Sequence, residues 1–292
     1  MKNEPSVSLV IPSYNGKEMT INLLKSLQKT AYKNYEIIVV DNGSSDGCYE
    51  YVKKHFPYVR AFKLENNLGF TGGANFGIKQ SKGEYVVMMN NDMTVDSKWL
   101  SELVKVAVSD GTIGIVGSVF LNDSNVIDRI GYKENRKFIL QFKPLYRGIK
   151  YNDNFAPVVE VDHTFGLVKR DVLNKIGLFD DKNFIFWEDA DLCYRAKKAG
   201  FKIVVATRAK IRHSKGQTMM RFPVETVFYY NKNQLRFILK NLSPLRKLIN
   251  APIILLQLSV KSSSYFLKGD FKKALAVIHA IIWNIRNFRD YI

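Results

Sequence analysis

Cysteine is almost absent from this chain of 292 residues, which contains only Cys48 and Cys193. The two are far apart and match neither a metal-binding nor a redox spacing. Since there are only two, a scaffold stabilised by several disulfides is not expected. A reduced, cytosolic compartment fits this usage best, although two cysteines suffice for one bridge.

The chain also lacks a long uncharged apolar run. The longest candidate, residues 251–267, is interrupted by Lys261. No segment therefore reaches the ~18 apolar residues that indicate a membrane-spanning helix. No apolar stretch of the signal-peptide kind follows the first residues, so we expect no signal peptide.

Acidic residues are scarce relative to basic ones, with 27 Asp and Glu against 44 Lys and Arg and a net charge of +17. The imbalance is greatest in residues 217–292, which hold twelve basic and three acidic residues. Such a segment indicates an anionic partner (nucleic acid, a membrane surface or a phosphorylated substrate), or it is only a solvated basic face. We expect no nucleic acid, because no recognised nucleic-acid-binding motif is present.

Short apolar segments alternate with helical patterns, and the composition, 46% hydrophobic and 24% charged, is that of a globular protein. Strands are predicted at 7–11, 36–40, 59–64, 85–89 and 202–206, and helices at 17–29, 48–55, 73–81 and from 188 onward. Continuous apolar runs are typical of strands covered on both faces, and repeated strand–helix–strand units favour a parallel sheet. The predicted fold is α/β, doubly wound, with a mostly parallel sheet.

Polar turns follow three of the predicted strands directly, at 12–15, 41–44 and 90–92. Because the carboxyl ends of parallel strands form the ligand crevice of such a sheet, these turns predict a site for a polar ligand. Asp41 could accept a hydrogen bond from a base or a ribose hydroxyl, and Asp92 could bind a hard cation together with phosphate oxygens. The alternative is that these residues only form turns.

A glycine-rich segment, residues 66–77, lies between the second and third of these turns. Glycines that enter a helix let backbone amides approach an anion. The segment is neither a P-loop nor a dinucleotide-binding motif, and without its neighbours it is more typical of a plain loop.

Three carboxylates, Glu188, Asp189 and Asp191, open a predicted helix. Acidic helix starts are common, but adjacent carboxylates repel one another, and an ionised carboxylate there can accept a proton from a hydroxyl. Further on, His213 ends a basic stretch, and a lone histidine of this kind is usually structural.

Over residues 6–240 the chain resembles family 2 of the inverting glycosyltransferases, which have the GT-A fold, and is most similar to the rhamnosyltransferase-like branch. The resemblance rests on short segments in a specific order: Val10 to Asn15, Val40 to Ser44, Asn67 to Gly77, Asn90 to Asp92, Gly177 to Asp180 and Glu188 to Leu192.

The resemblance implies a donor site in which Tyr14 and Asp41 hold a pyrimidine base and ribose. Asn90-Asn91-Asp92 matches the DxD motif of the family, with Asp92 as the ligand of Mn²⁺ or Mg²⁺. Asn90 replaces the first Asp, which leaves less negative charge, and His213 falls where some relatives supply a second metal ligand. The implied donor-binding residues are Pro12, Tyr14, Asn15, Asp41, Asn67, Gly72, Asn75, Asn90, Asn91 and Asp92.

The resemblance further implies that Asp189 is the general base on the acceptor hydroxyl and that Glu188 supports it. Asp162, Trp187 and Asp191 would bind the acceptor. The implied reaction is a single in-line displacement from a nucleoside-diphosphate sugar, with UDP- or dTDP-sugars favoured, onto a glycan or lipid-linked acceptor in cell-surface polysaccharide assembly.

The predicted organisation is a catalytic domain over residues 1–222, with a donor half to about 120 and an acceptor half after it, and a basic helical extension over 223–292. Amphipathic helices are predicted at 224–242, 251–267 and 271–288. They either pack on the catalytic domain or lie in an anionic membrane interface. We favour the interface, and hence a cytoplasmic protein attached peripherally to the inner face of the cell membrane. The sequence does not predict the oligomeric state.

Two other functions stay open. A nucleotidyltransferase shares an α/β sheet and a metal carboxylate but normally has a basic, glycine-rich stretch after its first strand, and here no Lys or Arg follows that strand before Lys17. A sugar-nucleotide-binding scaffold or inactive relative would not need Asp92 and Asp189, both of which are present.

Overall fold

A computed structural model describes residues 4–134, 140–152, 154–213 and 222–291. The strands in this part of the chain are β1 (Val7–Ser13), β2 (Tyr35–Asp41), β3 (Val59–Lys63), β4 (Tyr85–Met88), β5 (Met93–Val95), β6 (Ile113–Leu121), β7 (Ile127–Arg129), β8 (Tyr132–Glu134), β9 (Phe142–Pro144), β10 (Val158–Glu160), β11 (Gly166–Lys169) and β12 (Lys202–His213). The α-helices are α1 (Lys17–Leu27), α2 (Cys48–His55), α3 (Gly69–Gln80), α4 (Trp99–Ala107), α5 (Arg170–Ile176), α6 (Glu188–Lys198), α7 (Pro223–Asn241), α8 (Pro244–Leu267) and α9 (Phe271–Arg286).

The main sheet has the order β10-β12-β6-β11-β4-β1-β2-β3, with β5 added to β12 and β7 to β6. Along this path β3, β2, β1, β4, β6 and β12 run in one direction, while β11 and β10 run in the other. A small second sheet pairs β8 with β9. The prediction of an α/β fold with a mostly parallel sheet is confirmed.

Strand β1 shows why the apolar runs are continuous. All seven of its residues are buried. Leu9 packs in a core cluster with α1, α2 and α4 on one side of the sheet, and its neighbour Val10 packs with α3, α5 and α6 on the other. Helices on both faces require apolar side chains at successive positions.

The three polar turns meet at one edge of the sheet because their strands are neighbours. β1 lies between β2 and β4, and Ser13 at the end of β1 is in register with Asp41 at the end of β2.

Two predicted helix starts need correction. Helix α3 begins at Gly69 rather than residue 73, and α8 begins at Pro244 rather than residue 251. A proline at the first position of a helix is favourable because its missing N–H would have no helical partner.

The C-terminal helices α7, α8 and α9 pack against one another, and α7 also packs against α6. Their inner faces form a third apolar cluster that includes Val227, Phe237 and Leu258 together with Ala190 of α6. Among the helices that the structure describes, none is both long and apolar enough to cross a membrane.

Candidate active site

A cavity of about 1060 Å³ lies at the edge where β1, β2 and β4 end. Nine of the residues predicted from the sequence line it: Pro12, Tyr14, Asn67, Asn90, Asn91, Asp92, Trp187, Glu188 and Asp189. Side chains from α7 and α8, including Tyr229, Tyr230 and Gln257, complete its wall. The extension predicted as a separate unit therefore contributes directly to the cavity.

Asp41 is only 1% exposed and does not line the cavity. Its carboxylate accepts hydrogen bonds from the backbone N–H of Ser44 at 2.7 Å and of Tyr49 at 3.0 Å. Asn15, in a left-handed conformation with φ 47°, is bonded to the same loop, since its Oδ1 accepts the N–H of Ser45 at 3.0 Å. Both residues thus shape the loop beside Tyr14. Direct contact of Asp41 with a nucleoside stays a prediction.

The glycine-rich segment is held in place by Asn42, which lines the cavity although we did not single it out from the sequence. Its amide donates to Asn67 Oδ1 at 2.9 Å and to the carbonyl of Gly69 at 2.8 Å, and its Oδ1 accepts the N–H of Leu68 at 3.0 Å. Gly69 has φ +72°, and a Cβ there would lie 2.5 Å from the Phe184 ring. A glycine is therefore required where α3 meets the segment before α6.

Gly72 and Asn75 do not line the cavity. A Cβ on Gly72 would lie 2.5 Å from Leu68 Cβ, so this glycine permits close packing at the start of α3. Asn75 is turned toward the acceptor half, where its amide donates to the carbonyl of Phe179 at 2.9 Å and its Oδ1 accepts the N–H of Phe179 at 3.0 Å. Both residues were predicted to bind the donor. In the structure Gly72 permits close packing, and Asn75 links α3 to Phe179 in the acceptor half.

The side chains of the turn after β4 have two different roles. Asn91 is 7% exposed, and its amide donates to Ser13 Oγ at 3.1 Å and Thr20 Oγ1 at 3.3 Å, which ties the turn to β1 and α1. Asn90 and Asp92 flank it and are less buried at the cavity wall. Their oxygen donors are of the kind that Mg²⁺ and Mn²⁺ prefer, so the residues present fit such an ion.

A second acidic group near the cavity does not fit a hard cation. Ligand atoms of Asp41, Asp46 and Cys48 lie within 4.8 Å of one another. However, the Asp46 carboxylate accepts the N–H of Lys17 at 2.8 Å and of Cys48 at 3.0 Å. Burial raises the pKa of the Cys48 thiol to about 11, so it is not a thiolate at neutral pH. This group caps the starts of α1 and α2.

The segment before α6 is strained. Phe184, Phe186 and Trp187 have φ values of 66°, 72° and 65°, which are unfavourable for large side chains. Asn233 of α7, 1% exposed, donates its amide to the carbonyls of Asn183 at 2.8 Å, Ile185 at 2.7 Å and Phe186 at 2.9 Å. The strain is thus imposed by contacts from α7 and places Trp187, Glu188 and Asp189 at the cavity.

Glu188 and Asp189 differ in environment although they are adjacent. Burial, and secondarily the charge of Asp189, raise the pKa of Glu188 to about 8, so this carboxyl is mostly protonated at neutral pH. The Asp189 side chain is 28% exposed, and its Oδ1 accepts the N–H of Ala190 at 2.8 Å. An uncharged Glu188 reduces the repulsion that the sequence suggests, and the Asp189 side chain is open to a substrate hydroxyl.

Asp191 and Asp162, both predicted to bind the acceptor, lie outside this cavity. Asp191 is 3% exposed and bonded to Arg195 at 2.9 Å, Lys240 at 3.1 Å and Asn241 at 2.8 Å. Asp162 forms an ion pair with Lys197 and accepts the N–H of Glu134 at 2.7 Å beside a smaller cavity of about 270 Å³. These contacts give both carboxylates structural partners, and their contact with an acceptor stays a prediction.

The side chain of His213 lies outside the described residues, so its predicted role as a metal ligand is not located. The cavity wall also contains aromatic residues that were not expected from the sequence, among them Tyr132, Phe142, His163 and Tyr230. They come from β8, β9, the segment between β10 and β11, and α7, so only the fold brings them together.

The chain is similar in sequence to several curated proteins. The chain is 27% identical over 225 residues to the amylovoran biosynthesis glycosyltransferase AmsB of Erwinia amylovora, covering 68% of this chain and 66% of AmsB. It is 24% identical over 224 residues to the O-antigen biosynthesis protein RfbC of Myxococcus xanthus, covering 73% of this chain and 18% of RfbC. The chain thus corresponds to only part of each relative.

Among solved structures, the mannosyltransferase PcManGT of Pyrobaculum calidifontis, in complex with GDP-Man and Mn²⁺, has the same fold. The TM-score is 0.59 at 15% identity, over 97% of this chain and 88% of the other. The family model described as glycosyl transferase family 2 matches residues 8–177. Because this match covers more than half of the chain, the protein belongs to glycosyl transferase family 2.

Proposed function

We propose that this protein is a metal-dependent inverting glycosyltransferase that moves a sugar from a nucleoside-diphosphate donor to an acceptor hydroxyl. The observation that carries the proposal is one cavity lined both by the oxygen donors of Asn90 and Asp92 and by the partly exposed Asp189 carboxylate. Transfer requires a site for the diphosphate and a base for the incoming hydroxyl, and these residues supply both.

In this proposal Tyr14 and the loop shaped by Asp41 and Asn15 bind the nucleoside. Asn90 and Asp92 would hold Mg²⁺ or Mn²⁺, and the bound ion would supply positive charge to the diphosphate. Asp189 accepts the proton of the acceptor hydroxyl as that oxygen attacks the anomeric carbon. A single displacement inverts the configuration, and no covalent intermediate on the protein is needed.

The donor is proposed to be a UDP- or dTDP-sugar, and the acceptor a glycan or lipid-linked glycan of a cell-surface polysaccharide. The biosynthetic roles named for AmsB and RfbC support polysaccharide assembly. PcManGT was solved with GDP-Man and Mn²⁺, which supports a metal and a nucleotide sugar but makes GDP-sugars a necessary comparison.

A thermal-shift screen of UDP-, dTDP- and GDP-sugars, with and without Mn²⁺ or Mg²⁺, tests the proposal. We expect one nucleotide class to raise Tm only with metal, because a ligand at 100 times its Kd adds about 2.7 kcal/mol to stability. The same donor should release free nucleoside diphosphate when an acceptor is present. Release of pyrophosphate from a nucleoside triphosphate and a sugar phosphate would instead identify a nucleotidyltransferase, and binding without any turnover would identify a scaffold.

The site is also proposed to work at a membrane surface, because α8 and α9 have apolar outer faces. Thirteen of the twenty exposed large apolar side chains in the described residues lie within 245–288. On α9 they recur at helical spacing, at Phe271, Leu275, Ile278, Ile282 and Ile285. We define these outer faces of α8 and α9 as the apolar face. Exposed apolar side chains concentrated on neighbouring helices are typical of an interaction site.

Fewer basic residues are available to the apolar face than the sequence suggested. This corrects the expectation that the basic residues of α7 face a membrane. Lys232 and Arg236 of α7 are 3% and 4% exposed, and Lys240 is paired with Asp180 at 2.7 Å. Helix α7 thus packs on the catalytic domain and offers none of these charges to a membrane.

Exposed basic residues remain at Lys268, Lys272, Arg286 and Arg289. Each contributes about 1 kcal/mol near an anionic leaflet. They favour peripheral attachment, proposed to be at the cytoplasmic side of the cell membrane.

We expect the protein to sediment with phosphatidylglycerol vesicles at low salt and the double variant Leu275→Gln/Ile285→Gln to bind them roughly tenfold or more weakly, because two exposed apolar side chains are lost. The matched control is Tyr58→Gln/Val108→Gln, which removes two apolar side chains of similar exposure that lie far from the apolar face in the sequence. The membrane proposal is wrong if the natural protein ignores these vesicles, if both variants lose binding equally, or if the apolar face proves to pair two copies of the chain in solution.

A further inference from the structure

His163 is buried in the wall of the cavity, beside the base. Its ring stacks on Tyr132 with centroids 4.3 Å apart and 11° between planes, and it meets Phe142 edge-on at 4.4 Å. The residue is 7% exposed and lines the same cavity as Asp189. The two rings fix its plane, so its nitrogens point in defined directions.

The Nε2 atom of His163 lies 4.0 Å from Oδ2 of Asp189. Its Nδ1 is buried and has no hydrogen-bond partner within the described part of the chain. A neutral imidazole carries its single proton on one nitrogen, and the nitrogen with an acceptor in reach is favoured. This arrangement selects the tautomer with the proton on Nε2, which faces Asp189.

We propose that His163 is a positioning residue for the base, with its Nε2–H donating to Oδ2 of Asp189 and holding the carboxylate ionised and oriented toward the acceptor. This inference rests on the proposed role of Asp189. The 4.0 Å separation exceeds a hydrogen bond, and catalytic hydrogen bonds often shorten only when substrates are bound. Each carboxylate oxygen has two lone-pair sites, so Asp189 can accept from His163 and Ala190 and still receive the acceptor proton.

The surroundings of His163 on balance favour a neutral imidazole. Burial lowers the pKa of His163, and the charge of Arg129 lowers it further, whereas the charges of Asp189 and Asp162 raise it. Asp162 is paired with Lys197, and Glu188 is mostly protonated at neutral pH. Tyr230 and Cys193 also lie near Asp189 and are uncharged at neutral pH, since burial raises the pKa of Tyr230 and raises that of Cys193 to about 12. His163 therefore acts as a neutral donor.

The test compares His163→Phe with His163→Gln in the full chain, with kcat/KM measured against pH. Phenylalanine keeps a ring on Tyr132 but has no donor, so the ionised base loses a stabilising hydrogen bond. We expect the acid limb of its profile to move to higher pH by about one unit, with the donor KM unchanged. Glutamine loses the ring but has an amide that can reach the Nε2 position, so its acid limb should stay near that of the natural protein.

A purely structural histidine predicts the opposite ranking. In that case His163→Phe would preserve Tm and activity better than His163→Gln because the ring stack survives, and neither variant would shift the acid limb. That result overturns the inference. Asp189→Asn is measured in parallel to separate the two proposals. If it is inactive while His163→Phe keeps the natural profile, only the role of His163 is wrong. If Asp189→Asn remains active, the proposed base is wrong and the inference falls with it.

Discussion

Asp189→Asn is expected to lower kcat by roughly 10²–10⁴-fold, the range that a positioned general base contributes. Asparagine keeps the shape of the side chain and can still accept the N–H of Ala190, but it cannot take a proton. The donor should therefore bind as tightly as before, and the loss should appear in kcat measured at saturating donor.

Two variants make this result specific. Asp171→Asn is the same change on α5, where the carboxylate is 70% exposed, and it should leave kcat unchanged. Glu188→Gln should cost less than tenfold at pH 7, because glutamine resembles the protonated carboxyl that Glu188 carries there. A folded Asp189→Asn protein that retains more than a tenth of the natural kcat would place the base elsewhere.

Asp92→Ala is expected to abolish metal-dependent binding of the donor. It removes the one carboxylate in the Asn90–Asp92 turn, and few other protein ligands are available to the ion there. Calorimetric titration with UDP and Mn²⁺ (or with the nucleotide that the screen identifies) should show heat for the natural protein and none for the variant. Activity should also vanish with EDTA and return when divalent metal is added.

The control for this variant is Asp123→Ala, an exposed aspartate in the turn between β6 and β7. It should bind the donor and metal normally. Unchanged UDP–Mn²⁺ affinity in Asp92→Ala would remove this residue from the metal site, whereas loss of binding in both variants would point to a general effect of removing negative charge.

The sequence predicted the sheet and the location of the cavity well because both depend on short-range patterns. Apolar runs such as β1 must be strands covered on both faces, and polar turns that follow adjacent parallel strands must meet at one edge. The position of Pro12, Tyr14 and Asp92 around one cavity follows from that rule alone.

The sequence could not predict which way each polar side chain points. Asn90, Asn91 and Asp92 are consecutive, yet Asn91 turns inward to Ser13 while its neighbours stay at the cavity wall. Asp191 lies two residues from Asp189 and is bonded instead to Lys240 of α7. The direction in which each side chain points depends on hydrogen-bond partners that are distant in the sequence.

The same limit applies to the charges of the C-terminal helices. Periodicity identified the apolar side of α7, and the basic residues beside it suggested a face for anionic headgroups. Arg236 and Lys240 instead bind Asp180, and the two cations lower the pKa of that carboxyl despite its burial. Counter-charges contributed by another element cannot be recognised from the pattern of a single helix.

The hydrogen bonds from Asn233 to the strained segment before α6 restrict how this protein can be recombined with its relatives. The family model ends at residue 177, so neither Asp189 nor Asn233 lies within the matched region. A chimera joined at residue 222 would keep the base but exchange the helix that holds its loop. Three backbone carbonyls would then lose their donor, and the segment would relax toward ordinary backbone angles. The smallest unit that can be exchanged without disturbing the base therefore runs from before α6 through α7, and acceptor specificity should be transferred with both helices together.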